Sequence, residues 1–104
     1  MKTDITQPSK ELIPGFKGTF IHGVGFTAAY WDIEKDAVLP EHSHPHEQLT
    51  QVTEGEFELN IAGQKHICKP GMVLLIPGNV PHSGRAVTAC KITDIFCPSR
   101  PEYS

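Results

Sequence analysis

A chain of 104 residues with 38% apolar and 20% charged side chains can bury one modest core and is not disordered throughout. A formal net charge of -3 offers no basic field to a phosphate backbone, so nucleic acid is excluded as a partner. The longest apolar run, MVLLI at 72–76, falls far short of the roughly 20 residues that span a bilayer, which excludes a membrane helix. The stretch MKTDITQPSKEL has no apolar segment that could act as a secretion signal, and a cytoplasmic protein is expected.

Residues 1–15 are polar with two prolines and read as a loosely held arm on a single domain spanning 1–104, available to pair with a second subunit. FTAAYWDI (26–33) reads as a strand and EKD as the turn after it. AVLPEHSH (37–44) continues extended, because a residue before proline is pushed out of the helical region. QLTQV (48–52) leads to a turn at TEGE, and FELNIA (57–62) alternates, with Phe57, Leu59 and Ile61 on one face. Ala62-Gly63 offers a hairpin turn before QKHIC, and Pro70-Gly71 another before MVLLIP. MVLLIP runs into GNVPHSG, VTACKITDIF (87–96) is the last strand, and PSRPEYS resembles a loop. Short strands with turn chemistry between them, and no long amphipathic helix, predict an antiparallel barrel or sandwich. Cys68, Cys90 and Cys97 are odd in number and lack CxxC spacing, so they read as reduced thiols.

The segment PEHSHPHEQ (40–48) concentrates three histidines. Side chains at i and i+2 of a strand share a face, so His42 and His44 point the same way, as chelation requires. Beyond Pro45, Gln48, Thr50 and Val52 share one face, which is placed inward so that the Gln48 oxygen returns to the two imidazoles. His46 and Glu47 are then expected in the loop or on the surface. His82, after the Gly-Asn-Val-Pro turn, is the natural fourth ligand. Three imidazoles and one oxygen suit a divalent transition metal (zinc, nickel, iron, manganese or cobalt) better than calcium or magnesium. His22 and His66 have no such company and read as solvated or core-edge side chains.

HSHPHEQLTQVTEG resembles the first motif of the cupins, with Gln48 at its acidic position and Gly55 at its glycine. GMVLLIPGNVPH resembles the second, through Gly71, Pro77 and His82. Asn79 stands where a glycine is usual and tolerates a left-handed turn nearly as well, while Ala86 replaces a frequent asparagine. The resemblance implies a single-domain cupin β-barrel (double-stranded β-helix, or jelly roll) opening onto a metal at its centre, and a homodimer. Together with the ending DIFCPSR, the chain is similar to the small cupins of pectin and alginate degradation, which open unsaturated uronates to linear keto acids. The D-x-F-x3-R ending of that group falls on Asp94, Phe96 and Arg100 and implies catalytic roles for them.

The residues add to this implication. Cys90, Ile92, Asp94 and Phe96 share a face of the last strand, and a carboxylate on an apolar face is costly to bury unpaired. Such burial raises its pKa toward the range useful for proton transfer. Neutral ligands leave a divalent charge uncompensated, which favours an anionic small-molecule substrate such as a uronate sugar. The expected activity is an isomerase-type ring opening. The alternatives are an oxygen-dependent, dioxygenase-type reaction or a non-catalytic sugar- or metal-binding cupin.

Overall fold

The computed structural model describes residues 1–6 and 10–103. Ten strands follow one another: β1 Lys10–Ile13, β2 Phe16–His22, β3 Thr27–Ile33, β4 Val38–His42, β5 Glu47–Glu54, β6 Phe57–Ile61, β7 Gln64–Cys68, β8 Val73–Ile76, β9 His82–Ala86 and β10 Cys90–Cys97. Of the segment expected as an arm, Lys10–Ile13 is a strand hydrogen-bonded to β2. Residues 7–9 lie outside the described residues.

The strands form two antiparallel sheets, in the orders β1-β2-β3-β10-β5-β8 and β4-β9-β6-β7. This corrects the closed barrel or jelly roll expected from the family resemblance: neither sheet closes on itself, and each ends in edge strands. Alternating apolar residues look the same on the wall of a barrel and on one leaf of a two-sheet stack, so the pattern that marks the strands does not report closure. The core lies between the leaves. Phe16, Trp31, Ile33, Val52, Ile76, Ile92 and Phe96 come from the larger sheet, while Phe57, Leu59, Cys68 and Ala86 come from the smaller one. Phe16 and Phe57 meet across the gap edge to face, ring centroids 6.3 Å apart.

Strand parity carries the inward face as expected. In β10, Cys90, Ile92, Asp94 and Phe96 are buried while Lys91, Ile95 and Cys97 are exposed. The last strand begins three residues later than expected. The Val87 and Thr88 N–H groups both donate to the Glu56 carbonyl, which bends the chain before it can join the sheet. The tail is also more ordered than a loop. Pro101–Tyr103 forms one turn of 3-10 helix, and Tyr103 packs its ring against Phe20, Trp31 and Phe96.

Candidate metal centre

His42 ends β4 and sits directly across from His82, the first residue of β9. His44 lies beyond the strand, in the link to β5, but still faces the same point as His42. Two contacts hold that link. The Asn79 N–H donates to the His44 carbonyl at 2.7 Å, and Asn79 has a φ of 66°, the left-handed turn foreseen for it. Beside it, a Cβ on Gly78 would come within 2.5 Å of the Pro45 carbonyl oxygen, so only glycine allows the two loops to touch there. The Pro-Gly-Asn turn thus serves the site by seating His44 as well as by delivering His82.

The ligand nitrogens of His42, His44 and His82 lie within 4.8 Å of one another. This is close to the roughly 4 Å that two ligands about 2.1 Å from one ion can span. Their protonation points the same way. The Nδ1–H groups of His42, His44 and His82 donate to the carbonyls of Pro40, His46 and Val80 at 2.9, 3.0 and 2.9 Å. A carbonyl can only accept, so each neutral ring keeps its proton on Nδ1 and presents a bare Nε2. The Nε2 of His82 is buried and has no hydrogen-bond partner. The Nε2 of His44 faces the Gln48 Oε1 at 3.1 Å, so two lone pairs confront each other. A cation between them resolves both features, and the donor set fits a divalent transition metal.

Burial lowers the pKa of His44 to about 4, with the Arg100 charge and His82 adding to the effect. Burial lowers that of His82 as well. Both rings therefore stay neutral, the form that binds a metal.

Gln48, in β5, is opposite Phe96 of β10, and Thr50 is opposite Asp94. Gln48 Nε2 donates to Thr50 Oγ1 at 2.9 Å, and Thr50 Oγ1 donates to Asp94 Oδ1 at 2.7 Å. The indole N–H of Trp31 donates to Asp94 Oδ2 at 3.0 Å. Burial pushes the Asp94 carboxyl up to about 6, against the lowering effect of hydrogen bonds from Thr50, Gln48 and Trp31 and of the Arg100 charge. A cavity of about 360 Å³ opens on these groups. His42, His82, Gln48, Thr50, Asp94 and Phe96 line it, with Leu39, Leu59 and Tyr103 among its apolar walls.

Arg100 stands apart from the cavity lining. Its guanidinium carbon lies 4.8 Å from the centroid of Phe96 and 4.1 Å from that of Tyr103, two rings that do line it. Its Nε donates to Glu102 at 3.0 Å, its backbone N–H donates to Thr27 Oγ1 at 2.7 Å, and its Nη1 is buried without a partner. His46 lies in the loop between β4 and β5, one of the two places expected for it, but it is buried there, and its ring centroid lies 6.4 Å from that of Phe96. It shares parity with Gln48 and Thr50, a signal that Pro45 obscured. Glu47 is exposed, His22 is exposed and His66 is half-buried. Trp31 and Thr50, which donate to the two Asp94 oxygens, were not among the expected site residues. No helix of the described residues is long and apolar enough to cross a membrane.

These residues define a small all-β protein with three imidazoles and a carboxamide gathered at one end of an inter-sheet cavity. The Cupin domain family model matches residues 29–96, and the chain belongs to the cupin family. The chain is similar to the solved structure of KdgF from Halomonas sp., with 26% identity, a TM-score of 0.87 and coverage of 91% of this chain and 89% of that one. An RmlC-like cupin from Shewanella frigidimarina is 26% identical with a TM-score of 0.88, covering 94% of this chain and 90% of its own. An RmlC-like cupin from Desulfovibrio desulfuricans is 28% identical with a TM-score of 0.77, covering 96% of this chain and 99% of its own. No curated protein matches the chain.

Proposed function

We propose that this cupin is an enzyme that opens 4,5-unsaturated uronate monosaccharides to linear 4-deoxy-5-keto uronates in pectin or alginate catabolism. The observation that carries the reading is the placement of Asp94 and Phe96 on the wall of the cavity that also exposes His42, His82 and Gln48. The likeness to KdgF over nine-tenths of both chains supports it.

In this reading His42, His44, Gln48 and His82 hold a divalent transition metal, whether zinc, nickel, iron, manganese or cobalt. When bound, the metal supplies Lewis acidity toward the sugar oxygens. Asp94, with its pKa raised to about 6, takes the proton from the anomeric hydroxyl as the ring C–O bond breaks and the aldehyde forms. It returns a proton to the neighbouring alkene carbon as the enolate released by that cleavage becomes a ketone, so protons balance and no electrons leave the substrate. Phe96 walls the sugar. The unpartnered Nη1 of Arg100 is the group for the substrate carboxylate, reached by movement of the turn that now holds its Nε on Glu102.

A cytoplasmic homodimer belongs to the same proposal. It is supported by the aligned apolar row Ile95, Leu49 and Leu75 on the outer face of the larger sheet, where Ile95 and Leu75 are exposed. The test of activity is the ultraviolet absorbance of the conjugated double bond of a 4,5-unsaturated uronate. Metal-loaded protein should speed its loss well above the spontaneous rate, and an unchanged rate refutes the assignment.

A further inference from the structure

The chain of polar groups running from Trp31 to His44 has a fixed direction. The Trp31 indole nitrogen can only donate, and it occupies Asp94 Oδ2. An ionised carboxylate can only accept, so the single hydroxyl hydrogen of Thr50 must go to Asp94 Oδ1. With its hydrogen committed, Thr50 Oγ1 can only accept from Gln48, and it therefore takes the amide N–H. The amide has two ends, and with its nitrogen held by Thr50 its oxygen must turn to His44 Nε2. Thr50 and Asp94 are buried, and both carboxylate oxygens are already taken by Thr50 and Trp31, which holds the order.

We propose that Thr50, anchored by Asp94, is a positioning residue that selects which end of the Gln48 amide faces the metal. Glutamine is ambiguous as a ligand: its oxygen binds a cation, while its NH2 group repels one, and the two are nearly the same shape. A glutamate at this position would need no such selection, because both of its oxygens can ligate. Thr50 is thus the complement to having an amide in the ligand set. The inference rests on the reading of His42, His44, Gln48 and His82 as a metal centre.

The test is calorimetric titration with nickel(II) at pH 8, with cobalt(II) and its visible spectrum as a second probe. Thr50→Val keeps the shape and removes the hydroxyl, and it should weaken nickel binding by about 10- to 100-fold, the usual loss when a partner that orients a ligand is removed. Thr50→Ser should restore binding to within a few-fold of wild type. Asp94→Asn, which can donate to Thr50 and release its hydrogen toward Gln48, should also weaken binding. In a Gln48→Ala background, Thr50→Val should cost nothing further, because Thr50 acts through the amide.

Wild-type affinity in Thr50→Val overturns the inference, as does an equal loss in the Gln48→Ala background. A wild-type chain that binds neither nickel nor cobalt overturns the metal-centre reading itself, which keeps the two failures apart. Should Thr50→Val fail to fold, Thr50→Ala and Thr50→Ser carry the same comparison.

Discussion

Replacing Asp94 by Asn should make the metal-free protein more stable at pH 8, and the gain should vanish in acid. Asp94 is 8% exposed, and burial moves its pKa from 3.8 to about 6. Two pKa units correspond to about 3 kcal/mol at roughly 1.4 kcal/mol per unit. Because the folded pKa is the higher one, the favourable contribution of the neutral acid is complete below about pH 4 and is lost as pH rises through about 6. At pH 8 the wild type therefore bears the full cost of a buried charge. Asn carries no charge and can still accept from Trp31 and donate to Thr50. The variant should exceed wild type by up to about 3 kcal/mol at pH 8, by about half that at pH 5, and by little at pH 4. Urea unfolding in the presence of a chelator, followed by circular dichroism and by the fluorescence of the single tryptophan, measures the difference. His44 titrates in the same window, but it does so in both proteins and cancels. A variant less stable than wild type at pH 8, or a difference that stays flat from pH 4 to 8, refutes the raised pKa.

Trp31→Phe keeps a ring in the cluster with Phe16, Phe20 and Tyr103 but removes the donor to Asp94 Oδ2. It should cost about 1–3 kcal/mol at pH 8 in urea unfolding, and no loss would mean that another group serves that oxygen. His44 has the opposite sign to Asp94. Its pKa is lowered from 6.5 to about 4, so its contribution is present above pH 6.5 and lost as pH falls toward 4. The metal-free wild type should lose about 3 kcal/mol from this group across that interval, and the stability of His44→Gln should fall less steeply there. Arg100→Lys keeps the charge but loses the planar fork. It should raise KM for an anionic sugar by about tenfold, with a smaller change in kcat, and equal kinetics would remove Arg100 from carboxylate recognition.

Much of the site was legible because strand parity is a strict rule. Once QLTQV reads as a strand, Gln48, Thr50 and Val52 must share a face, and β10 delivers Asp94 beside Phe96 by the same count. The position of Trp31 relative to Asp94 was not legible. It depends on β10 lying between β3 and β5, with Asp94 opposite Ala29, and that register is set across a sequence separation of 63. Strand β2 was hidden by Gly18, which ordinarily argues against a strand. A Cβ at that position would come within 2.9 Å of the Trp31 ring, so packing demands the glycine that propensity disfavours. Strand β9 was hidden in another way. HSGRA is short and holds a glycine, yet Gly84 packs against Phe57 on a strand paired on both sides. Closure was the property least accessible, because it depends on which strands decline to pair.

His42 and His82 stand on one leaf of the fold, Gln48 on the other, and His44 on the link between them. An ion gripped by all four would rivet the leaves together, so that loading and resistance to unfolding rise as one. At a free concentration one hundred times its dissociation constant, the ion adds about 2.7 kcal/mol, a large share of what holds a chain this small. Scarcity of metal would then silence the chemistry and, at the same time, expose the chain to proteases, so that the amount of protein follows the supply of the ion it uses.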